Sequence, residues 1–143
     1  MKVEELTVYE EEVFQAVKRM LPQLTGREAG FGREEFGELL ASDRSHLLVL
    51  REDDGRVAGM LVVALYPTLS GGLKAWIEDV VVDEACRGKG YGKELVTFAI
   101  GFARRLGVQS ISLSSAPVRV AANRLYRSMG FVQRETNVYL LKL

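Results

Sequence analysis

Glycines alternate with basic residues in one short stretch of the chain, Arg87-Gly88-Lys89-Gly90-Tyr91-Gly92-Lys93. Glycine lets a backbone turn sharply and lets a ligand approach the main chain without meeting a Cβ. A helical pattern follows the stretch, so free N–H groups and the helix dipole converge on one spot that favours an anion. Since three basic side chains add positive charge, the pattern predicts a site for a phosphate or pyrophosphate group.

Two familiar phosphate loops do not fit this stretch. A P-loop requires glycine at the position of Arg87 and Ser or Thr at the position of Glu94. A dinucleotide fingerprint requires glycine at the position of Lys93 and an acid after the next strand, which instead ends Ser112-Leu113-Ser114. A tight strand-to-helix turn that binds nothing is the remaining alternative, and three glycines flanked by three cations argue against it.

Hydrophobic periodicity predicts the elements that position this loop. The predicted strands are residues 2–9, 46–51, 57–66, 74–82 and 110–114, with one or two more in 131–143. The predicted helices are residues 10–21, 33–41, 93–106 and 120–129, the first stopped or bent at Pro22. Asp54-Gly55 predicts a hairpin. The order indicates a mixed α/β fold around one sheet, with strands 2 to 4 antiparallel and a parallel pair formed across 74–114.

Composition narrows the class of protein. The 143 residues fit one domain, and 19 basic residues balance 19 acidic ones, which argues against nucleic acid or an anionic membrane as a partner. Cys86 is the only cysteine, and the longest apolar run, Val57 to Tyr66, is too short to span a bilayer. With no secretory start, these features predict a cytoplasmic protein. His46 has no Cys or His companion, so we expect a structural role and no metal site.

Two motifs together give the chain a family resemblance. Residues 87–92 match the Arg/Gln-x-x-Gly-x-Gly/Ala motif of the GNAT superfamily of N-acetyltransferases. Downstream, Asn123 and Tyr126 followed by Gly130-Phe131 match a second motif, Asn-x-x-Tyr…Gly-Phe. The chain resembles that family from end to end in element order and length. The resemblance implies a single GNAT-like domain over residues 1–143, with a central mixed, mostly antiparallel sheet flanked by about four helices.

The resemblance also implies a cofactor site for acetyl-CoA. In the family the pyrophosphate lies on backbone N–H groups of the glycine loop, which here are those of Arg87, Gly88, Lys89, Gly90, Tyr91, Gly92 and Lys93. The pantetheine arm pairs like an extra strand with the end of the preceding strand, which maps to Val80, Val81 and Val82. Asn123 corresponds to the asparagine that contacts the arm.

The catalytic roles implied by the family fall on Glu78 and Tyr126. Tyr126 is the candidate acid for the departing thiolate, or else an aromatic residue that merely packs. Because an alkylammonium has a pKa of about 10, the acceptor must lose a proton, and Glu78 is the best candidate base, directly or through water. Strand alternation places Glu78 and Val80 on one face and Asp79 on the other, unless a bulge exchanges them. Alternatively, Glu78 or Asp79 pairs with a basic residue at the sheet surface.

The reaction of the family needs no covalent enzyme intermediate, so Cys86 is expected to be only a loop residue. The main-chain N–H of Val80 is expected to hold the oxyanion. The predicted activity is acetyl transfer to a primary amine of a small molecule or peptide, with the acceptor bound by residues 21–37, 65–76 and 134–139. A non-catalytic acyl-CoA-binding or interaction module is the alternative. A homodimer stays open, because residues 138–143 suit either an interface or a sheet within the chain.

Overall fold

The structure, a computed structural model, describes all 143 residues as two compact units, residues 1–113 and residues 114–143. The first unit contains β1 (Lys2–Glu5), α1 (Glu11–Thr25), α2 (Arg33–Ala41), β2 (Ser45–Arg51), β3 (Val57–Thr68), β4 (Gly72–Val82), a 3-10 turn (Glu84–Cys86), α3 (Tyr91–Arg105) and β5 (Ser110–Ser112). The second unit contains α4 (Val120–Ser128).

One five-stranded sheet runs through the first unit in the order β1-β2-β3-β4-β5. The first four strands pair antiparallel, and β4 and β5 pair parallel across α3. The predicted mixed, mostly antiparallel sheet and its four helices are therefore confirmed.

The hairpin between β2 and β3 closes as its sequence predicts. Gly55 has φ 87°, the left-handed conformation that glycine adopts without a steric cost. Glu52 and Arg56 close the loop through an N–H···O bond of 2.9 Å, and the Asp54 carboxylate accepts the Arg56 N–H at 3.0 Å. The loop therefore lies in a fixed position at the end of β2.

The core has a layer on each face of the sheet. On one face, buried residues of α1 and α2, including Phe14, Met20 and Phe36, pack against the sheet. On the other face, α3 buries Leu95, Val96 and Ala99. The sheet approaches α3 so closely at Gly59 that a Cβ there would lie 2.9 Å from Leu95 Cδ1 and 3.3 Å from the Val81 carbonyl oxygen.

The predicted stop at Pro22 is wrong. Helix α1 continues to Thr25, and Gly26, with φ 74°, ends it by donating its N–H to the Pro22 carbonyl at 2.8 Å. Proline removes the hydrogen bond that position 22 would donate to the Lys18 carbonyl, and its ring crowds that carbonyl. The last turn offsets this cost through Leu24, which packs against the core, and Gln23, which bonds Asp83 at 3.4 Å and the Glu84 N–H at 2.9 Å.

The predicted strands in residues 131–143 are also wrong, because the structure has no strand there. Val138, Tyr139, Leu140 and Leu141 are each at least 76% exposed. These residues are typical of strands, but propensity alone does not form a strand without a hydrogen-bonded neighbour. The residue types of this segment favour a strand, but no neighbouring strand pairs with it.

The close contact at Gly59 gives a stability test. Gly59→Ala should lower the free energy of unfolding by about 1–3 kcal/mol, because the fully buried Leu95 cannot move aside. Gly37→Ala, inside α2 with nothing within 4 Å of the added Cβ, should instead raise it by about 0.5–1 kcal/mol. Urea denaturation of both variants checks this, and a Gly59→Ala protein as stable as the parent would contradict the packing argument.

Candidate active site

The glycine loop turns through two left-handed residues before α3 begins. Gly88 has φ 85° and Gly90 has φ 79°, and Gly90 is the N-cap of α3. Open space surrounds both positions, so the strain that any other residue would meet there comes from the backbone itself. Gly92 lies within the first turn of α3.

Three backbone donors point out of the start of α3. The first hydrogen bond of the helix runs from the Glu94 N–H to the Gly90 carbonyl at 3.1 Å, so the N–H groups of Tyr91, Gly92 and Lys93 have no acceptor in the chain. No side chain caps the helix. Such a cluster of free donors with the helix dipole behind it fits a pyrophosphate group.

The basic side chains of the loop are not all free. Lys89 Nζ lies 3.4 Å from Glu52 Oε2 and 5.7 Å from the centre of the Tyr91 ring, and Arg87 Nε donates to the Val82 carbonyl at 3.4 Å. Only Lys89 is paired with an acid, so the charges of Arg87 and Lys93 add to the backbone N–H donors in attracting an anion.

Glu52, which the sequence analysis missed, ties the β2–β3 hairpin to the glycine loop. Its carboxylate accepts the Cys86 thiol at 2.9 Å and pairs with Arg56 at 3.3 Å and with Lys89. The Cys86 hydrogen bond, with help from Lys89, lowers the pKa of Glu52. In the sequence, Glu52 stands out only as an acid just before the Asp-Gly turn. That position does not reveal its contacts with Cys86 and Lys89.

Cys86 is buried beneath the loop. Its hydrogen bond to Glu52 and its burial raise the pKa of the thiol. Because the thiolate is the nucleophilic form, a raised pKa makes Cys86 a poor nucleophile, which suits the expectation that the reaction uses no covalent intermediate on this loop residue.

The last half of β4 has an open edge. Pairing with β5 ends at Trp76, opposite Ser112, so the edge of residues 77–82 that faces away from β3 has no strand beside it. Val80, Val81 and Val82 lie at the end of this edge, directly before the turn into the glycine loop. Their backbone groups on that side are available to an extended ligand, except the Val82 carbonyl, which accepts Arg87 Nε at 3.4 Å.

A β-bulge interrupts β4 at this point. Met60 pairs with Val81 and Val62 pairs with Glu78, so Asp79 and Val80 together lie opposite Leu61. Asp79 is the only residue other than glycine with a positive φ, 55°.

The bulge decides which residues share a face. Glu78 lies on the same face as Val81, so the prediction that Glu78 and Val80 share a face is wrong and the bulged alternative is correct. The inserted residue shifts the alternation of side chains by one position.

Glu78 and Asp79 are adjacent carboxylates that stay accessible and form no ion pair. Partial desolvation, with the charge of Asp79 as a smaller contribution, raises the pKa of Glu78. Desolvation also raises the pKa of Asp79. The alternative in which one of them pairs with a surface cation is wrong, and a raised pKa brings a carboxylate nearer to that of a base working at neutral pH.

Asp79 also lines a cavity of about 220 Å³ between α1, α2 and the sheet. The other lining residues come from these same elements and the connection between the helices: Val17, Leu21, Phe31, Glu35, Phe36, Leu39, Leu47, Met60 and Val62. Residues 21–37, predicted to contact the acceptor, supply part of this lining.

The second unit carries the other two predicted site residues. Asn123 Nδ2 donates to the carbonyls of Ala116 at 2.9 Å and Arg119 at 2.8 Å, which braces the start of α4. Tyr126 is buried, and its ring meets Phe131 edge-on at 5.9 Å. Burial raises the pKa of the Tyr126 phenol, which keeps it protonated at neutral pH.

His46 has a structural environment. Its ring bonds the Glu5 carboxylate and the Asp43 carbonyl and lies 5.1 Å from the Phe102 ring. Nowhere in the chain do three or more His, Cys, Asp or Glu side chains gather as a metal site would require. None of the helices combines the length and apolar character needed to cross a membrane.

Comparison with known proteins gives a family. The profile of the Acetyltransferase (GNAT) family matches residues 11–131. The uncharacterized N-acetyltransferase YhdJ of Bacillus subtilis is 47% identical over 57 residues, which cover 39% of this chain and 40% of the relative. Glucosamine 6-phosphate N-acetyltransferase 1 of Oryza sativa subsp. japonica is 32% identical over 112 residues, 76% of this chain and 66% of the relative.

A solved structure gives the same fold. An aminoglycoside acetyltransferase from an uncultured soil metagenomic sample superposes with a TM-score of 0.87 at 21% identity, covering 99% of this chain and 95% of that one. The chain spans less than two thirds of the length of the curated relatives described above. Because the family profile matches most of the sequence, the chain belongs to the Acetyltransferase (GNAT) family.

Proposed function

We propose that the protein transfers an acetyl group from acetyl-CoA to a primary amine of a small molecule or peptide, by direct attack and without a covalent enzyme intermediate. The observation that carries the proposal is the open edge of β4 leading directly into three free N–H groups at the start of α3. An extended chain that ends in a pyrophosphate matches both features.

Acetyl-CoA supplies a reactive thioester and a thiolate leaving group. Tyr91, Gly92 and Lys93 hold its pyrophosphate through their N–H groups, with Arg87, Gly88, Lys89 and Gly90 shaping the turn. The backbone of Val80, Val81 and Val82 pairs with the pantetheine arm. Asn123 contacts the arm through its amide oxygen, because both amide hydrogens already bond carbonyls.

The ammonium nitrogen must lose two protons in the reaction, and the departing thiolate must gain one. Glu78 takes the proton of the ammonium group, directly or through water, and its raised pKa favours this role. Asp79, its neighbour on the bulge, is the alternative base. The amine nitrogen forms the new C–N bond while the Val80 N–H stabilises the oxyanion. As the C–S bond breaks, the Tyr126 phenol gives its proton to the thiolate, and the tyrosinate is reprotonated, through water, by the second proton that leaves the nitrogen.

The proposed function also carries expectations about the domain, the cellular location and the partners of the protein. The family match through Phe131 supports one acetyltransferase domain over residues 1–143. We further expect a cytoplasmic enzyme that uses no metal and binds neither nucleic acid nor membranes. These points stay predictions.

Cofactor binding through the backbone gives a test at the glycine loop. Gly90→Val should weaken acetyl-CoA binding at least about tenfold, because valine at φ 79° is strained and moves the N–H donors. Arg87→Ala should have a smaller effect. Calorimetric titration with acetyl-CoA measures both.

The control for Gly90 is Gly107, which has the same φ of 79°, the same open surroundings and a position beyond the opposite end of α3. Gly107→Val should lose comparable stability and keep its affinity for acetyl-CoA. Loss of binding in Arg87→Ala with normal binding in Gly90→Val would contradict the backbone cradle.

The catalytic roles give a second test, by thiol release with a panel of amines. Glu78→Gln and Tyr126→Phe should each lower kcat about a hundredfold or more, with acetyl-CoA affinity kept. Because the carboxylate is the active form and its pKa is raised, kcat should rise with pH through a value above that of an ordinary glutamate. That acidic limb should vanish in Glu78→Gln, or in Asp79→Asn if Asp79 is the base.

Full activity in both Glu78→Gln and Tyr126→Phe would contradict the catalytic roles proposed for these residues. It would not contradict the fold. Tight acetyl-CoA binding with no transfer to any amine would instead indicate a non-catalytic acyl-CoA-binding or interaction module.

We also propose that two copies of the chain associate through residues 138–143. The exposed apolar side chains of this segment and the unpaired outer edge of β5 support the proposal. Leu141→Asp should shift the protein toward monomer in sedimentation velocity. Val118→Asp, a control that is 83% exposed but outside the segment, should leave the distribution unchanged. A parent protein that stays monomeric as its concentration rises would contradict the dimer.

A further inference from the structure

We infer that the acceptor is a small alkyl or arylalkyl amine, whose ammonium group lies at Asp79 and whose apolar group fills the cavity between α1, α2 and the sheet. The inference deepens the proposed function and rests on it. It assigns the substrate class from the lining, the volume and the charges of this cavity.

The lining is almost entirely apolar. Eight of the ten lining residues are aliphatic or aromatic, and the only polar side chains are those of Glu35 and Asp79. Each methylene group moved from water into such a cavity improves affinity about fourfold. A hydroxyl group in the same place would lose its water without gaining a partner, which weakens binding.

The volume limits the size of the apolar group. A cavity of about 150 Å³ in another protein holds benzene. The cavity here, about 220 Å³, therefore has room for one ring with a short linker, or for a branched alkyl chain of similar size. It is smaller than the pockets that hold drug-sized ligands.

The two carboxylates set the charge of the acceptor. Asp79 has no partner, and the backbone of the bulge fixes its position. Glu35 uses one oxygen, Oε2, to accept the Gly32 N–H at 3.0 Å and keeps the other free. Both side chains attract an ammonium group and repel a phosphate.

The basic side chains near the cavity have hydrogen-bond or ion-pair partners outside the cavity lining or on its backbone. Lys18 donates to the carbonyls of Ala29 at 3.1 Å and Phe31 at 2.8 Å. Arg33 pairs with Glu11, and Arg19 pairs with Asp83 at 3.1 Å. None of these three cations forms an ion pair with Glu35 or Asp79, so both carboxylates are left for an ammonium group.

This chemistry differs from that suggested by the names of the relatives. The rice relative is named for glucosamine 6-phosphate and the solved structure for aminoglycosides, acceptors rich in hydroxyl or phosphate groups. Asp79 binds the ammonium group, and Glu78, the preceding residue, is the base that takes its proton. The same bulge therefore binds the acceptor and prepares it for attack.

The experiment compares acceptors under saturating acetyl-CoA. 2-Phenylethylamine and 3-methylbutylamine should have kcat/KM values at least about tenfold above those of glucosamine and glucosamine 6-phosphate. Across the straight-chain series from propylamine to hexylamine, kcat/KM should rise about fourfold per methylene until the cavity is filled. Equal or better turnover of glucosamine 6-phosphate would overturn the inference.

Two neighbouring leucines of α2 give a matched pair of variants. Leu39 lines the cavity, whereas Leu40 packs against the core and does not line the cavity. Leu39→Trp should lower kcat/KM most for the largest amines and reverse the chain-length series, while Leu40→Trp should keep the parent order. Asp79→Asn should raise KM for every amine and leave acetyl-CoA affinity unchanged.

Binding measurements with acetyl-CoA and with an amine show whether the proposed function fails or only the cavity assignment fails. If acetyl-CoA binds but no amine is acetylated, the proposed activity fails. 2-Phenylethylammonium should then still perturb the NMR signals of the cavity methyl groups in the parent and in Leu40→Trp, but not in Leu39→Trp. An unperturbed spectrum in the parent would overturn the cavity assignment whatever the activity.

Discussion

The β-bulge at Asp79 and Val80 is the constraint on which the candidate site depends. Two residues of β4 lie opposite the single residue Leu61 of β3, which holds Asp79 in a left-handed conformation. Such a conformation costs free energy at a residue other than glycine, so the flanking strands must hold it in place. At this bulge Asp79 lines the cavity between α1, α2 and the sheet, and neither Asp79 nor Glu78 forms an ion pair.

The glycine loop depends on a different set of contacts. Gly88 and Gly90 supply the turn, and Glu52 joins the loop to the β2–β3 hairpin through Cys86 and Lys89. Because the hairpin is held by its own hydrogen bonds, the start of α3 is attached to a rigid part of the sheet. Binding of an anion there therefore requires little reordering of the backbone.

The sequence predicted the features that depend on neighbouring residues. Gly55 and the glycine loop were predictable because a left-handed turn needs particular residues at particular positions. The bulge could be anticipated only as an alternative, since it depends on the register between β4 and Leu61 on another strand. Helix α1 passes Pro22 because Gln23 and Leu24 make contacts with distant parts of the chain that the local sequence does not reveal. Residues 138–143 form no strand because strand propensity does not supply a partner.

The distribution of charge in this balanced chain supports the two proposed substrates of opposite sign. Net charge is zero, yet free N–H groups gather at the start of α3 while unpaired carboxylates gather at the bulge of β4. Glu52 partly neutralises Lys89, whereas Arg87 and Lys93 form no ion pair and add their charge to that of the backbone donors. Under the proposed function, an anionic cofactor and a cationic acceptor would each be attracted to one end of the segment from Glu78 to Lys93 and repelled by the charge at the other end.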